Sequence, residues 1–342
     1  MNNLFIVHTQ YNLILATGLV KTIFAEDTNH LILFHDFNLS DTLRDKLDEA
    51  FSKFTVIAGN VPKVERTAKE KLAYIKDCNQ QIRAFMTVRY DRIFIVDDMC
   101  IPEMTALKVA YRGNPAVEMA WLEDGSNAYF PNGAISGGMG ATPLKRLIRK
   151  VFFATVFGLG RFYDLGPCMG SHKLLTKGYY TFPQHARAEF ADRERIEISD
   201  EAFRAGMDSI YGGEPITFDE NSVLVAMDKL DVYGDKIDKV NALIGGIVDE
   251  AIAAGKTVYY KYHPRESDRL PALANCRELD KTIGLESYLS RCTTDTLTVV
   301  GVMSTALQTA KKMSYATMSL IEQLDSDNQA IIQFYKKINV IK

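Results

Sequence analysis

The sequence predicts an α/β protein with two parallel-sheet domains in tandem. Short runs of Val, Ile, Leu and Phe without polar alternation are typical of strands buried on both faces. Longer amphipathic stretches alternate with these runs and predict the helices that cover the sheets. The pattern breaks in the middle of the 342-residue chain and then restarts. At about 150 residues per domain, this length allows roughly two domains.

In the first half, each apolar run is followed by a stretch with helical spacing. Ser40 is a favourable N-cap for the second predicted helix, because its hydroxyl can accept a hydrogen bond from the helix backbone. The predicted strands are 4–7, 31–34, 55–58, 92–96 and 118–122, and the predicted helices are 11–24, 41–54 and 68–88.

The middle of the chain departs from this pattern. Residues 125–142 are rich in glycine and predict a mobile loop that is too long for a simple connection. Its residues 133–140 are either a lid over a bound acceptor or disordered filler. Residues 167–197 show no clear period and are rich in Lys, Arg, His and Tyr. We therefore place the domain boundary in this region and define the domains as 1–190 and 191–342.

The α/β pattern restarts in the second half. Gly255 is a favoured residue just beyond a helix C-terminus. The last helix either completes this domain or packs back on the first. The predicted strands are 222–226, 257–260, 296–300 and 316–320, and the predicted helices are 199–211, 236–254, 304–313 and 329–335. Such sheets bind ligands at the carboxyl ends of their strands, so polar residues just after strands are the candidates for function.

Composition excludes several classes of protein. With 40 Lys and Arg against 43 Asp and Glu, the net charge of −3 argues against nucleic-acid binding, which needs a basic surface. Hydrophobic residues make up 47% of the chain, which excludes a disordered protein. The five cysteines form no CxxC pair and predict reduced thiols. The N-terminus lacks the pattern of a signal peptide, and no apolar run reaches 18 residues, so we expect a cytoplasmic protein.

Two adjacent carboxylates, Glu123 and Asp124, follow the predicted strand 118–122. Gly125 permits a sharp turn after them, and Ser126 continues it. A carboxylate at this point can act as a general base, and a like charge beside it raises one pKa. The alternative is an acidic turn without a catalytic role.

A histidine follows the predicted strand 257–260. Pro264 holds His263 in an extended conformation, and Lys261 and Arg265 flank it with positive charge. Such a group suits an anionic leaving group, because the histidine can donate a proton and the cations can stabilise a phosphate. The alternative is a solvated histidine at the end of a strand.

Further polar residues occupy equivalent positions. Ser304 and Thr305 follow the predicted strand 296–300 and can cap a helix, cradle a phosphate, or do both. Glu286 lies at a predicted helix start, where it can bind ribose hydroxyls or interact favourably with the helix dipole. Thr9 and Gln10 follow the first strand and face the expected cleft.

Taken in order, these residues resemble the motifs of the bacterial sialyltransferases and polysialyltransferases. That group has an acidic pair followed by glycine, a later His-Pro pair, and a final pair of hydroxyl residues. The corresponding motifs here are Glu123-Asp124-Gly125, His263-Pro264 and Ser304-Thr305. The last pair is Ser-Thr rather than Ser-Ser.

The resemblance implies a GT-B fold, in which two Rossmann-like domains face a central cleft, with CMP-sialic acid as the donor. It implies inversion at the anomeric carbon without a bound metal. The acidic pair would supply the base, with Glu123 preferred over Asp124, and His263 would assist the departure of CMP. Ser304 and Thr305 would bind the CMP phosphate, while Glu286 matches a ribose-binding acid less closely.

The sequence predicts no metal site and no cofactor. Asp325-Ser326-Asp327 has the spacing of a metal-binding acidic motif, but it precedes a predicted helix, where capping explains it. Without a metal, protein groups must neutralise the leaving phosphate. Lys261, His263 and Arg265 can do so together with the helix start at Ser304.

A basic and apolar segment covers residues 143–160. Lys145, Arg146, Arg149 and Lys150 precede the apolar run that begins at Val151. Three interpretations stay open: contact with a membrane surface, a core helix with a solvated face, and contact with an anionic acceptor glycan. The first would place the protein peripherally at the inner face of the cytoplasmic membrane.

The sequence thus favours an inverting, metal-independent glycosyltransferase of bacterial surface polysaccharide or lipooligosaccharide synthesis. It would move sialic acid, or a related nonulosonic acid such as legionaminic or pseudaminic acid, from a CMP donor to the hydroxyl of a glycan that can be lipid-linked. One alternative is a GT-B transferase or epimerase that uses another nucleotide sugar. The other is a two-domain sugar-binding protein without catalysis.

Overall fold

The computed structural model describes residues 1–35, 37, 39–59, 67–130, 151–164, 166, 168–263, 266–281, 283–294, 296–324 and 328–341. The chain divides into two compact units, Met1–Ile210 and Tyr211–Lys342. The boundary that we expected at residue 190 lies inside the first of these units. Residues 131–142 of the glycine-rich loop, the basic residues 143–150, Pro264, Arg265 and the acidic motif at 325–327 lie outside the described residues.

The first unit contains a seven-stranded parallel sheet with the order β3-β2-β1-β4-β5-β6-β7. The central strands consist of buried apolar residues, as expected for strands covered on both faces. The strands are β1 (Asn2–Val7), β2 (Thr28–His35), β3 (Lys53–Ala58), β4 (Arg92–Ile95), β5 (Glu118–Leu122), β6 (Lys177–Tyr180) and β7 (Glu194–Glu197).

Helices follow the strands of this sheet. Ser40 caps the second of them, since its Oγ accepts a hydrogen bond of 3.2 Å from the Leu43 backbone N–H. This confirms the cap that we predicted there. The labelled helices of the described part of this unit are α1 (Gln10–Lys21), α2 (Asp41–Ala50), α3 (Ala68–Phe85), α4 (Ile101–Gly113) and α5 (Asp200–Tyr211). Residues 151–156 are also helical.

Aromatic rings fill the core of the first unit. Phe5 on β1 and Phe94 on β4 stack with ring centroids 4.3 Å apart. Trp121 on β5 is fully buried and donates from Nε1 to the Val96 carbonyl at 2.7 Å. These contacts join the central strands β1, β4 and β5, whose carboxyl ends carry the first group of candidate residues.

Two glycines allow α1 and α5 to pack with their backbones in close contact. A Cβ atom added at Gly18 would lie 2.9 Å from the carbonyl carbon of Ala202 and closer still to its oxygen. A Cβ atom added at Gly206 would lie 3.0 Å from the backbone nitrogen of Gly18. Only a residue without a side chain fits on either helix at this crossing.

The second unit contains a five-stranded parallel sheet with the order β10-β9-β8-β11-β12. Its strands are β8 (Val223–Ala226), β9 (Val258–Lys261), β10 (Arg277–Glu278), β11 (Thr298–Gly301) and β12 (Ala316–Ser319). Its described helices are α6 (Ile237–Ala253), α7 (Leu285–Arg291), α8 (Ala306–Lys312) and α9 (Gln329–Lys337). Gly255 has a φ of +72°, as expected for a residue that ends a helix.

The last helix, α9, carries a contact to the loop after β11. The Tyr335 hydroxyl donates to the backbone carbonyls of Met303 and Ser304, each at 3.0 Å. Tyr335 itself is fully buried. Among the described residues, no helix is long and apolar enough to cross a membrane.

Candidate active site

Glu123 lies directly after β5, at the carboxyl edge of the first sheet, and is fully buried. The Thr181 hydroxyl donates to its Oε1 at 2.7 Å, and the Thr181 backbone N–H donates to its Oε2 at 3.0 Å. The hydroxyls of Tyr11 and Tyr129 donate to the same carboxylate. Groups from the residues after β1, β5 and β6 therefore enclose one carboxylate.

This enclosure sets the protonation of Glu123. Burial raises the pKa of its carboxyl, and the hydrogen bonds from Tyr11, Tyr129 and Thr181 act in the opposite direction. Burial and the nearby Glu123 charge hold the pKa values of Tyr11 and Tyr129 well above the usual range, so both tyrosines act as donors. A carboxylate with a raised pKa at a ligand-binding edge is suited to accept a proton.

Asp124 is half-buried and has a different environment. Asn12 Nδ2 donates to its Oδ1 at 3.3 Å, and Asn127 Nδ2 donates to its Oδ2 at 3.0 Å. Gly125 follows with a φ of +52°, which favours glycine, and begins the short 3₁₀ turn that contains Ser126. Asp124 is therefore the member of the pair that solvent reaches.

Thr9 and Asn12 connect the start of α1 to the acidic pair. The Thr9 hydroxyl accepts from the Asn12 backbone N–H at 3.2 Å and donates to Asn12 Oδ1 at 2.7 Å. Asn12 Nδ2 then donates to the Glu123 carbonyl at 3.2 Å. The structure thus brings Thr9 close to the pair through Asn12, which we did not predict. Gln10 is the first residue of α1.

The second unit carries the other candidate residues. Ala226 on β8 pairs with Lys261 on β9 and with Gly301 on β11, so the ends of these three strands are adjacent. Lys261 is only 6% exposed, and its Nζ lies 3.4 Å from the Lys281 carbonyl oxygen. Burial lowers the pKa of Lys261, although the Glu286 charge opposes this shift. A buried cation therefore lies at the carboxyl edge of the second sheet.

His263, Ser304 and Thr305 occupy the predicted positions after β9 and β11. His263 is half-buried, and its carbonyl accepts from the Glu266 backbone N–H at 2.9 Å. Ser304 Oγ accepts from the Ala306 backbone N–H at 3.3 Å, which supports a capping role. Thr305 is exposed, and its side chain makes no capping hydrogen bond to α8.

Asp228 is a residue at this edge that we did not predict. It follows β8, and its Oδ2 accepts from the Met303 backbone N–H at 3.0 Å and from the Tyr233 hydroxyl at 2.7 Å. Burial raises the pKa of Asp228. Together with Tyr335, Asp228 fixes the loop that carries Ser304. A carboxylate two residues beyond a buried apolar strand is the signal that could have identified it.

A family comparison covers the part of the chain that holds both groups of residues. The family model for alpha-2,8-polysialyltransferase matches residues 3–320, which include every candidate described above. The chain belongs to the alpha-2,8-polysialyltransferase family. This confirms the resemblance drawn from the three motifs and makes the protein a sialyltransferase-type glycosyltransferase. No curated protein sequence shows significant similarity to the chain.

Solved structures share the fold of this polysialyltransferase family member. UDP-GlcNAc 2-epimerase from Methanocaldococcus jannaschii matches with a TM-score of 0.54 and 11% identity, over 97% of this chain and 87% of the epimerase. The calicheamicin glycosyltransferase CalG4 matches with a TM-score of 0.50 and 11% identity, over 98% of this chain and 83% of CalG4. At such low identity the likeness concerns the fold alone, and it confirms the α/β GT-B type.

Proposed function

We propose that this protein is an inverting sialyltransferase that uses a CMP-linked donor and requires no bound metal. The observation that carries the proposal is the enclosed carboxylate of Glu123. Burial raises its pKa, and it lies at the ligand-binding edge of a polysialyltransferase family member. The donor is CMP-sialic acid or a related CMP-nonulosonate, and the acceptor is a hydroxyl of a bacterial surface glycan.

Glu123 is the base in this proposal. Among its partners, Tyr129 and Thr181 are buried, whereas Tyr11 is half-buried. An acceptor hydroxyl therefore reaches the carboxylate by taking the place of the Tyr11 hydroxyl. The acceptor oxygen then attacks the anomeric carbon, its proton passes to Glu123, and the bond to the CMP phosphate oxygen breaks. Asp124 orients the acceptor beside this carboxylate.

The second unit receives the departing CMP. His263 donates a hydrogen bond or proton to its phosphate, and Lys261 supplies positive charge. Ser304 and Thr305 bind the same phosphate, with Pro264 and Arg265 completing the group next to His263. Glu286 binds the ribose hydroxyls, as its position at the first turn of α7 allows. These protein groups take the part that a metal ion plays in metal-dependent transferases.

We propose a cytoplasmic location with contact to the inner face of the membrane through residues 143–160. In support, the helical residues 151–156 expose apolar side chains: Val151 is 58% exposed and Phe152 is 49% exposed. Lys76 and Arg83 on α3 line the same shallow depression as Val156. Apolar and basic side chains together favour an anionic lipid surface and fit a lipid-linked acceptor.

One experiment tests the transfer reaction. The protein is incubated with CMP-sialic acid and a glycan that ends in sialic acid, with a terminal galactoside as a second acceptor, in the presence of EDTA, and free CMP and the glycan mass are measured. We expect CMP release and a glycan heavier by one or more sialic acid residues. UDP-GlcNAc serves as the alternative donor. Turnover of UDP-GlcNAc alone, or thermal stabilisation by UDP but not by CMP, would contradict the proposed donor.

Single substitutions test the roles. His263→Ala should lose most turnover while CMP still binds, because binding also involves Lys261 and Ser304. Full activity in His263→Ala would remove the leaving-group role without affecting the family assignment. Full activity in both Glu123→Gln and Asp124→Asn would show that neither carboxylate is the base.

A further inference from the structure

His8, Cys100 and Glu103 form a separate cluster at the carboxyl edge of the first sheet. His8 follows β1, Cys100 is the N-cap residue of α4, and Glu103 lies in the first turn of that helix. β1 and β4 are neighbouring strands, so the residues that follow them meet. One potential metal-ligand atom from each of the three side chains lies within 4.8 Å of the others.

The backbone holds Glu103 in place. Its carboxylate is fully buried, with Oε2 accepting from the Val96 backbone N–H at 2.9 Å and Oε1 accepting from the Asp97 backbone N–H at 3.0 Å. His8 Nε2 lies 2.6 Å from the same Oε1. The carboxylate is therefore oriented toward the imidazole by donors that do not depend on a metal.

The other two ligands are also well placed. The His8 ring stacks on Phe34 with a centroid separation of 4.4 Å and an interplanar angle of 2°, which fixes the plane of the imidazole. The Cys100 side chain makes no capping hydrogen bond to α4, so a ligand role does not disturb the helix start. The His8 side chain is 16% exposed, which gives an ion a route to the cluster.

The donor set matches the preferences of zinc. Imidazole nitrogen, thiolate sulfur and carboxylate oxygen bind Zn²⁺ at about 2.0–2.3 Å, which separates neighbouring ligand atoms by roughly 3–4 Å in a tetrahedral site. The distance between His8 Nε2 and Glu103 Oε1 must increase slightly from 2.6 Å to reach that separation. Because all three ligand atoms already lie within 4.8 Å of one another, the Cys100 sulfur needs to move only a short distance toward the other two.

We propose that His8, Cys100 and Glu103 bind one Zn²⁺ ion, with water as the fourth ligand. The ion replaces the proton between His8 Nε2 and Glu103 Oε1 and displaces the thiol proton of Cys100, so binding releases protons to solvent. None of these ligands belongs to the proposed transfer chemistry. The site would join the end of β1 to the start of α4, next to the acidic pair.

Cobalt provides the direct test, because a thiolate bound to Co²⁺ gives a charge-transfer band in the near ultraviolet and a tetrahedral ion absorbs in the visible. The untagged full-length protein is reduced, stripped with a chelator and titrated with Co²⁺ alone, and Zn²⁺ is then added. We expect one Co²⁺ per chain, both sets of bands, and their loss on addition of Zn²⁺.

Matched variants assign the ligands. Cys100→Ser should remove the charge-transfer band, and His8→Asn should weaken Co²⁺ binding at least tenfold, whereas Cys276→Ser in the second unit should behave like the wild type. Circular dichroism checks the fold of each variant. Absence of the bands in the wild-type protein, or an unchanged band in Cys100→Ser, would overturn the proposal. Sialyl transfer plays no part in these measurements, so a failure here is distinct from a failure of the proposed function.

Discussion

The glycine contact between α1 and α5 leads to a quantitative prediction for Gly18→Ala. The new Cβ would lie 2.9 Å from the Ala202 carbonyl carbon, whereas ordinary contacts begin at 3.4 Å. The new Cβ would meet backbone atoms of a packed helix, which cannot turn aside as a side chain can, so α1 and α5 must move apart. Overpacking of this kind lowers the free energy of unfolding by about 1–3 kcal/mol. The better helix propensity of alanine raises it by about 1 kcal/mol. We expect the free energy of unfolding to fall by roughly 0–2 kcal/mol relative to the wild type, and by about 1–3 kcal/mol relative to an alanine substitution without the close contact.

The only tryptophan provides the assay. Trp121 is fully buried in the first unit, so its fluorescence reports the urea unfolding of that unit. Gly113→Ala is the matched control, because Gly113 is also helical in the same unit but has nothing within 4 Å of an added Cβ. We expect the control to match or exceed the wild type in stability. If Gly18→Ala unfolds at the same urea concentration as Gly113→Ala, the close-contact reasoning is wrong.

Four further predictions concern the candidate site. Glu123→Gln should lower kcat by about 10²–10⁴-fold with little change in KM, whereas Asp124→Asn should have a smaller effect, both measured by CMP release. Because burial raises the pKa of Glu123, kcat/KM should increase with pH as this group ionises, with a midpoint above the ordinary value of about 4.3. Tyr129→Phe removes a hydrogen bond that lowers the pKa of Glu123, so it should move this midpoint to a higher pH. A pH profile of Tyr129→Phe identical to that of the wild type would contradict the assignment of Glu123 as the base. Lys261→Met should raise the KM for the donor about tenfold without lowering Tm, because it removes both the proposed phosphate contact and a buried charge; an unchanged KM would exclude Lys261 from the site. Asp228→Asn keeps one acceptor for the Met303 N–H but loses the charge that strengthens the hydrogen bonds to the loop. The loop should then be held less firmly, and calorimetry should show weaker CMP binding. Unaltered binding would mean that the loop does not depend on this carboxylate.

The strands of each sheet could be predicted where their residues are apolar. β6 and β7 could not, because each begins with a charged residue that forms an ion pair at the amino ends of the strands, such as Lys177 with Glu118 at 2.7 Å. These two strands and α5 extend the first unit to Ile210, which is why the expected boundary fell too early. Local pattern does not reveal a strand that lacks an apolar run.

The acidic pair was visible in the sequence because two carboxylates end a buried strand. Its partners were not, since Thr181 is 58 residues away and Tyr11 is 112 residues away from Glu123. The order of the parallel strands brings them together, and the spacing along the chain contains no sign of that order. The His8–Glu103 pair was hidden for the same reason, since its members are 95 positions apart in the sequence.

The contact of Tyr335 with the loop after β11 has a consequence for the order of events during synthesis. The carbonyls of Met303 and Ser304 gain their donor only after α9 has been translated. By that time every strand of the first sheet has already been made, and domains commonly fold as units while the chain grows. The loop that carries Ser304 would thus be among the last parts of the nascent protein to reach its native form.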